Sequence, residues 1–146
     1  MIRLAAAADI EALAALRHAL WPDEPMDVRR AEAAERVART DPRIETFVAE
    51  VDGEVAGFAE VSLRSDYVNG CDTSPVTFLE GIYVRERHRR RRIGSALVAA
   101  AERWGRARGC RELGSDARLD NGDSRAFHGG TGFEETGRVV YFRKVR

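Results

Sequence analysis

Between Val76 and Leu97 an apolar run, a basic turn and an amphipathic helix follow one another without a spacer. That junction restricts the chain to folds built around a strand–turn–helix unit. Val76-Thr77-Phe78-Leu79-Glu80-Gly81-Ile82-Tyr83-Val84 reads as a strand, and six arginines fall between Arg85 and Arg92. Ile93, Leu97, Ala100, Ala101 and Trp104 then form one apolar stripe at helical spacing, with Gly109 as its stop. A second short strand is expected from Arg111 to Asp116. A strand–helix–strand unit of this kind is normally right-handed and pairs its strands in parallel.

Upstream, Phe47, Ala49 and Val51 alternate, Asp52-Gly53 supplies a tight turn, and Val55, Ala59, Val61 and Leu63 alternate again. This predicts a hairpin, and hence a mixed, mostly antiparallel sheet around a central parallel unit, flanked by helices: an α/β domain spanning 1–146. A first strand is expected at Ile2–Leu4. A helix follows, N-capped by Asp9 and carrying Ile10, Leu13, the stem of Arg17 and Leu20, until Trp21-Pro22 ends it. A second helix from about Asp27 to Arg39, rich in Arg and Ala, is expected to be peripheral. Ser65 to Pro75 reads as a polar loop, Ser124 to Gly130 as a weak helix, and Val139 to Lys144 as a last strand.

Composition narrows the function classes. Lys+Arg and Asp+Glu both number 24, so total charge gives no pull toward nucleic acid or an anionic membrane. No apolar run approaches membrane-spanning length, and the N-terminus lacks a signal-peptide pattern. The two cysteines, Cys71 and Cys110, fit reduced thiols better than a disulfide framework or a metal site. A cytoplasmic, metal-free protein is the expectation. The Arg-rich turn itself suits an anion: a helix N-terminus has unpaired N–H groups and a positive dipole end, and Gly94 lets a ligand approach the backbone. A solvated basic turn and a nucleic-acid patch are the competing readings.

Leu79-Glu80-Gly81-Ile82-Tyr83-Val84 followed by Arg89-Arg90-Arg91-Arg92-Ile93-Gly94-Ser95-Ala96-Leu97 resembles the acetyl-CoA signature of the GCN5-related N-acetyltransferase superfamily, Gln/Arg-x-x-Gly-x-Gly/Ala. Aligned on Ile-Gly-Ser-Ala-Leu, Arg89 takes the first position, Gly94 the last, and Arg92 replaces the first Gly. A shifted reading, Arg91-x-x-Gly94-x-Ala96, also matches. A positive φ at position 92 strains an arginine; use of its backbone N–H alone does not. The resemblance implies that a pantetheine arm pairs with backbone at Ile82, Tyr83 and Val84. It also implies a pyrophosphate on amides of Arg90, Arg91, Arg92, Ile93, Gly94 and Ser95, with Asn121 as a further cofactor contact. A bulge at Gly81 or a neighbour is implied as well.

Glu80 shares a face with Phe78 and Ile82 by strict alternation. A carboxylate among apolar neighbours is costly unless paired or wetted, so Glu80 should line a cleft or meet a cation; a structural ion pair with the Arg-rich turn is the alternative. Asp116 ends the next parallel strand on the same side of the sheet, where open α/β sheets bind ligands. Two carboxylates beside an acyl donor suit a cationic amine, whose proton must leave before it attacks a thioester.

Leu20-Trp21-Pro22, Asp66-Tyr67-Val68-Asn69-Gly70-Cys71-Asp72, Phe78-Leu79-Glu80-Gly81-Ile82, Gly109-Cys110-Arg111-Glu112 and Gly132-Phe133-Glu134-Glu135-Thr136 resemble the aminoglycoside 6′-N-acetyltransferases of that superfamily. This implies an aminosugar acceptor met by Trp21, Tyr67, Glu80 and Asp116, with Asp72, Glu134 and Glu135 as further candidates, and a homodimer. His128 stands where many superfamily members carry a proton-donating Tyr, so His128 is the expected acid and Tyr141 its substitute. A covalent relay through Cys71 lacks a base. Rival readings are acetylation of another amine (a polyamine, peptide N-terminus or lysine), a non-catalytic acyl-CoA binder, and a nucleic-acid binder.

Overall fold

A computed structural model describes residues 1–118 and 120–145. Five strands lie in the order β1 (Ile2–Leu4), β2 (Ile44–Val51), β3 (Glu54–Arg64), β4 (Val76–Val84) and β5 (Leu113–Ser115). β1 to β4 are antiparallel and β5 runs parallel to β4. This is the mixed sheet the sequence predicts. Asp52 and Gly53 close the β2–β3 hairpin with φ of 53° and 76°, the pair of positive angles that a two-residue turn requires.

The helix α3 (Ile93–Arg106) packs on one face through Ile93, Leu97, Ala100, Ala101 and Trp104, against Phe47, Ala59, Val61 and Leu79. The other face carries α1 (Ile10–Leu20), whose Leu13, Ala14 and Leu16 cover Val48 and Phe58. Outside it lies α2 (Met26–Ala38), and α4 (Gly122–Gly130) sits near the start of α3.

Four expectations change. α2 is not peripheral: Arg29 and Ala33 are buried, and with Arg36 the helix contributes to an ionic cluster beneath the sheet. Arg17 pairs with Glu60, Arg36 lies 3.5 Å from Glu60, and Arg36 Nε donates to Thr46 Oγ1 at 2.7 Å. Arginine stems bury readily when their heads are paired. Asp9 does not cap α1; it accepts from Ala6 N–H at 2.7 Å and from both Arg3 terminal nitrogens, and the Arg3 bonds hold its carboxyl below the ordinary value. β5 ends at Ser115, leaving Asp116 just past the strand. Val139 to Lys144 forms no strand; Val139, Val140, Tyr141 and Phe142 are exposed. The run pairs with no strand among the described residues.

β4 also departs from strict alternation. Glu60 pairs with Gly81 but Val61 pairs with Leu79, so Glu80 is an extra residue in a bulge. The inserted residue exchanges the two faces. Leu79 packs toward α3 before the bulge, and Ile82 and Val84 after it.

Candidate active site

The site is a fork in the sheet. The β4–β5 ladder pairs Thr77 with Leu113, Phe78 with Gly114 and Leu79 with Ser115, then stops. β4 continues to Val84, so from Glu80 onward its edge on the β5 side has no strand partner among the described residues. Ile82, Tyr83 and Val84 lie along this open edge, as expected for backbone groups that hold an extended ligand.

At the end of that edge the chain turns into the Arg-rich loop. Arg90 and Arg92 adopt φ of 67° and 60°. Positive φ at a residue with a Cβ costs of order 1–2 kcal/mol, and such strain concentrates at functional sites. Arg92 is the residue immediately before α3 and has no side-chain capping bond. The first helical bond in α3 is Ala96 N–H to Arg92 O at 3.1 Å, so the amides of Ile93, Gly94 and Ser95 precede it uncapped. Exposed Arg91 and Ser95 flank that end. A Cβ on Gly94 would lie 2.6 Å from the Phe127 ring, so glycine here lets α4 close over the helix start.

Arg89 differs from its neighbours. Its Nε donates to Val84 O at 3.0 Å and its guanidinium sits 5.4 Å from the Tyr83 ring centroid, fixing the loop to the strand end. Arg87 pairs with Glu54, and buried His88 lies 3.1 Å from Glu54 Oε2. Asn121 has a structural task as well: its side chain accepts from Ser124 N–H at 3.0 Å and caps α4. The open edge, the uncapped amides and the cationic loop together fit the thioester arm and diphosphate of acetyl-CoA.

Glu80 stands at the mouth of the fork. Its Oε1 accepts from Ser62 Oγ at 2.5 Å and Arg64 Nη2 at 2.8 Å, while Oε2 has no donor among the described residues. Arg64 also sits 3.7 Å from the Phe78 ring centroid. Glu80 thus meets a cation from β3 rather than from the Arg-rich turn, and Arg64 joins it to Phe78 while Ile82 turns to the opposite layer. Asp116 follows Ser115 and is exposed.

Trp21 packs beside the bulge: a Cβ on Gly81 would lie 2.5 Å from its ring. Phe58 meets that ring edge-on at 6.1 Å, and Arg17 and Arg29 lie 5.0 and 5.9 Å from its centroid. Trp21 is therefore both core wall and neighbour of Glu80. Tyr67 is 79% exposed on its loop. That loop is anchored by Glu112, whose Oε1 accepts from Asp72 N–H at 2.8 Å and Thr73 N–H at 2.6 Å. The Thr73 hydroxyl is the main cause of a lowered Glu112 carboxyl pKa. The bonds to Glu112 hold the Asp72 backbone at the start of β5, the end of the ladder away from the fork. Glu135 is paired with Arg138 at 2.5 Å and lies with Glu134 in the C-terminal segment that follows α4, outside regular secondary structure.

His128 approaches the end of β5 from α4. Its Nε2 is 2.8 Å from Ser115 Oγ and its Nδ1 is 2.7 Å from Ser124 O. Tyr141 is 86% exposed. Burial pushes the Cys71 thiol upward from its ordinary pKa, which opposes a cysteine relay.

Sequence reasoning missed Ser115, Arg64 and Glu112. Arg64 falls two residues after Ser62 on one strand, a same-face spacing that was readable. Ser115 gave no signal until the ladder was seen to end at it. Among the described residues no group of three or more His, Cys, Asp or Glu side chains could hold a metal ion, and no helix is long and apolar enough to cross a membrane.

The model of the acetyltransferase (GNAT) family matches residues 8–133. The aminoglycoside N(6′)-acetyltransferase type 1 of Stenotrophomonas maltophilia is 48% identical over 144 residues, covering 97% of this chain and 91% of that protein. Its namesake from Salmonella typhimurium is 47% identical over 129 residues, 88% of each. The structure of AAC(6′)-Iy in complex with the bisubstrate analogue CoA-S-monomethyl-acetylneamine superposes with a TM-score of 0.90 at 43% identity, covering 100% of this chain and 98% of that one. AAC(6′)-Ih from Acinetobacter baumannii gives 0.92 at 40%, covering 100% and 98%. The fork, the cationic loop and these likenesses agree, and the chain belongs to the acetyltransferase (GNAT) family.

Proposed function

We propose that this chain transfers acetyl from acetyl-CoA to the 6′-amine of an aminoglycoside, by direct attack in a ternary complex. The observation that carries the reading is Glu80, an acidic residue set by a bulge at the point where the sheet opens. The names of relatives over 40% identical, and the aminoglycoside-derived analogue held by a structural neighbour, support the acceptor class. Glu80 Oε2 receives the ammonium and takes its proton, directly or through water, while Ser62 and Arg64 steady Oε1. Asp116 adds a second negative charge, Trp21 and Tyr67 line the approach, and Asp72 contributes charge from the far end of the Tyr67 loop. Glu135 extends that wall from the C-terminal segment. Ile82 to Val84 and Arg89 to Ser95 hold the donor; Asn121 assists by fixing α4 over it.

The protein works as a cytoplasmic homodimer in this reading. The exposed run Val139–Phe142 and the open outer edge of β5 supply the apolar surface and the unpaired backbone that a second copy covers. The free cysteines suit a reducing compartment. Thiol release from acetyl-CoA, followed with a kanamycin-type aminoglycoside, a polyamine, a peptide N-terminus and a lysine, tests the acceptor. The aminoglycoside is expected to win by at least tenfold in kcat/KM. Preference for another amine selects the alternative acetyltransferase reading, and binding without turnover selects a non-catalytic module.

A further inference from the structure

The last residue of the β4–β5 ladder is a serine hydrogen-bonded to a histidine. We propose that Ser115, rather than His128, is the group that protonates the departing thiolate, with His128 recharging it; this rests on the acetyl-transfer reading above. His128 Nδ1 lies 2.7 Å from the Ser124 carbonyl oxygen, a position that only an N–H can occupy. In the neutral ring Nε2 is therefore the acceptor, and Ser115 Oγ–H donates to it at 2.8 Å. Phe133 and Phe127 enclose the ring edge-on, with centroids at 4.9 and 5.8 Å. Ser115 thus stands between the imidazole and the fork, with the Leu79 carbonyl 3.3 Å from its hydroxyl.

The open edge of β4 begins one residue beyond Leu79, so a thioester seated along Ile82 to Val84 ends beside Ser115 before it reaches His128. With the imidazolium, the polarity of the pair reverses: Nε2–H donates to Ser115 Oγ, which frees the hydroxyl proton to point into the fork. As the amine nitrogen bonds to the carbonyl carbon and the C–S bond breaks, the electron pair stays on sulfur. Ser115 gives sulfur its hydroxyl proton and takes the Nε2 proton of His128. The histidine is left neutral, with its remaining proton on Nδ1 facing Ser124 O, as the 2.7 Å contact requires, and solvent reloads it. The charged residues on the segments around the ring are Glu112 and Asp116 flanking β5, Asp123 and Arg125 on α4, and Glu134 after Phe133. Of the carboxylates among them, none forms an ion pair with His128 among the described residues.

Three variants and two kinds of readout test this. Ser115→Ala is expected to lower kcat about a hundredfold, the usual scale for a lost proton donor, with coenzyme A affinity by calorimetry within twofold. Ser115→Thr, which keeps the hydroxyl, restores most of kcat. Adding His128→Gln to Ser115→Ala costs little more, because the two act as one unit. Without any acceptor, the alkylation rate of the bound coenzyme A thiol against pH reads the same contact: Ser115 stabilises the thiolate, so its alkylation profile moves to higher pH in Ser115→Ala. Equal loss of coenzyme A affinity and kcat, an alkylation profile that Ser115→Ala leaves in place, or full activity of Ser115→Ala overturns the proposal. If the wild type acetylates no amine but the alkylation profile still moves, the acetyl-transfer reading fails and the contact to sulfur stands.

Discussion

The two faces of the sheet are held by different physics. On the α3 side the contact is apolar: Leu97 and Ala101 are fully buried against Ala59 and Val61. On the α1–α2 side, Leu13, Leu16 and Phe58 pack beside a buried ionic cluster of Arg17, Glu60, Arg36, Thr46, Arg29 and Glu32. Burial lowers the Arg17 pKa and pulls Arg36 down to about 10, the expected response of cations removed from water. The apolar side carries the proposed donor loop at the start of its helix. The ionic side carries Trp21, Gly81 and Glu80, the proposed acceptor wall. A nonpolar layer gives cohesion with little geometric preference, whereas a paired charge cluster is intolerant of losing one member. We read the ionic layer as the element that fixes Trp21 against the bulge.

The comparison breaks first at Glu60. Glu60→Ala leaves buried Arg17 with Glu32 alone, at 3.5 Å, and strips half-buried Arg36 of its nearest carboxylate; it is expected to cost about 3–5 kcal/mol, read from urea melts. A loss under about 1 kcal/mol means the cluster is solvated and does not hold the layer. On the apolar side, Leu97→Ala is expected to cost about 3 kcal/mol, within the range for a buried leucine, without altering acceptor affinity. Arg92→Gly has the opposite sign: removing the Cβ at φ 60° is expected to stabilise the fold by about 1 kcal/mol. It isolates backbone strain from charge when compared with Arg92→Ala, which keeps the strain and should gain nothing.

The smallest expected effect lies at the rim of the ionic side, in Asp9. Hydrogen bonding to Arg3 lowers its folded pKa. Its contribution is therefore present above the ordinary aspartate pKa and is lost as pH falls through the folded value. The stability gap between wild type and Asp9→Asn should be open at neutral pH and close in acid. A gap independent of pH assigns the residue a packing role only.

The same contrast explains what was legible in the sequence. The α3 stripe and the hairpin alternation are apolar patterns with the period of their element, and both elements form as expected. The α2 helix reads as peripheral because Arg29 and Arg36 look like solvent residues until Glu32 and Glu60 are seen to meet them. Alternation places Glu80 with Phe78 and Ile82, and a single inserted residue separates the latter pair. The Val139–Lys144 pattern is strand-like, yet the run takes no strand partner among the described residues; alternation shows which segments are able to pair, not which do. Within the site, the cationic loop and Glu80 were readable as chemistry in sequence. Ser115 and Arg64 matter through what they touch, which only the fold supplies.

The central claim is that the fork divides its labour: the β4 edge and the Arg-rich loop seat the donor, and the carboxylates beside the bulge seat the cation. Calorimetric titration of coenzyme A and of an aminoglycoside into the wild type, Glu80→Gln and Asp116→Asn tests it directly. The account predicts acceptor affinity reduced at least tenfold in Glu80→Gln, less in Asp116→Asn, with coenzyme A affinity within twofold of wild type in both. Parallel loss of both affinities, or undiminished aminoglycoside binding by Glu80→Gln, contradicts it.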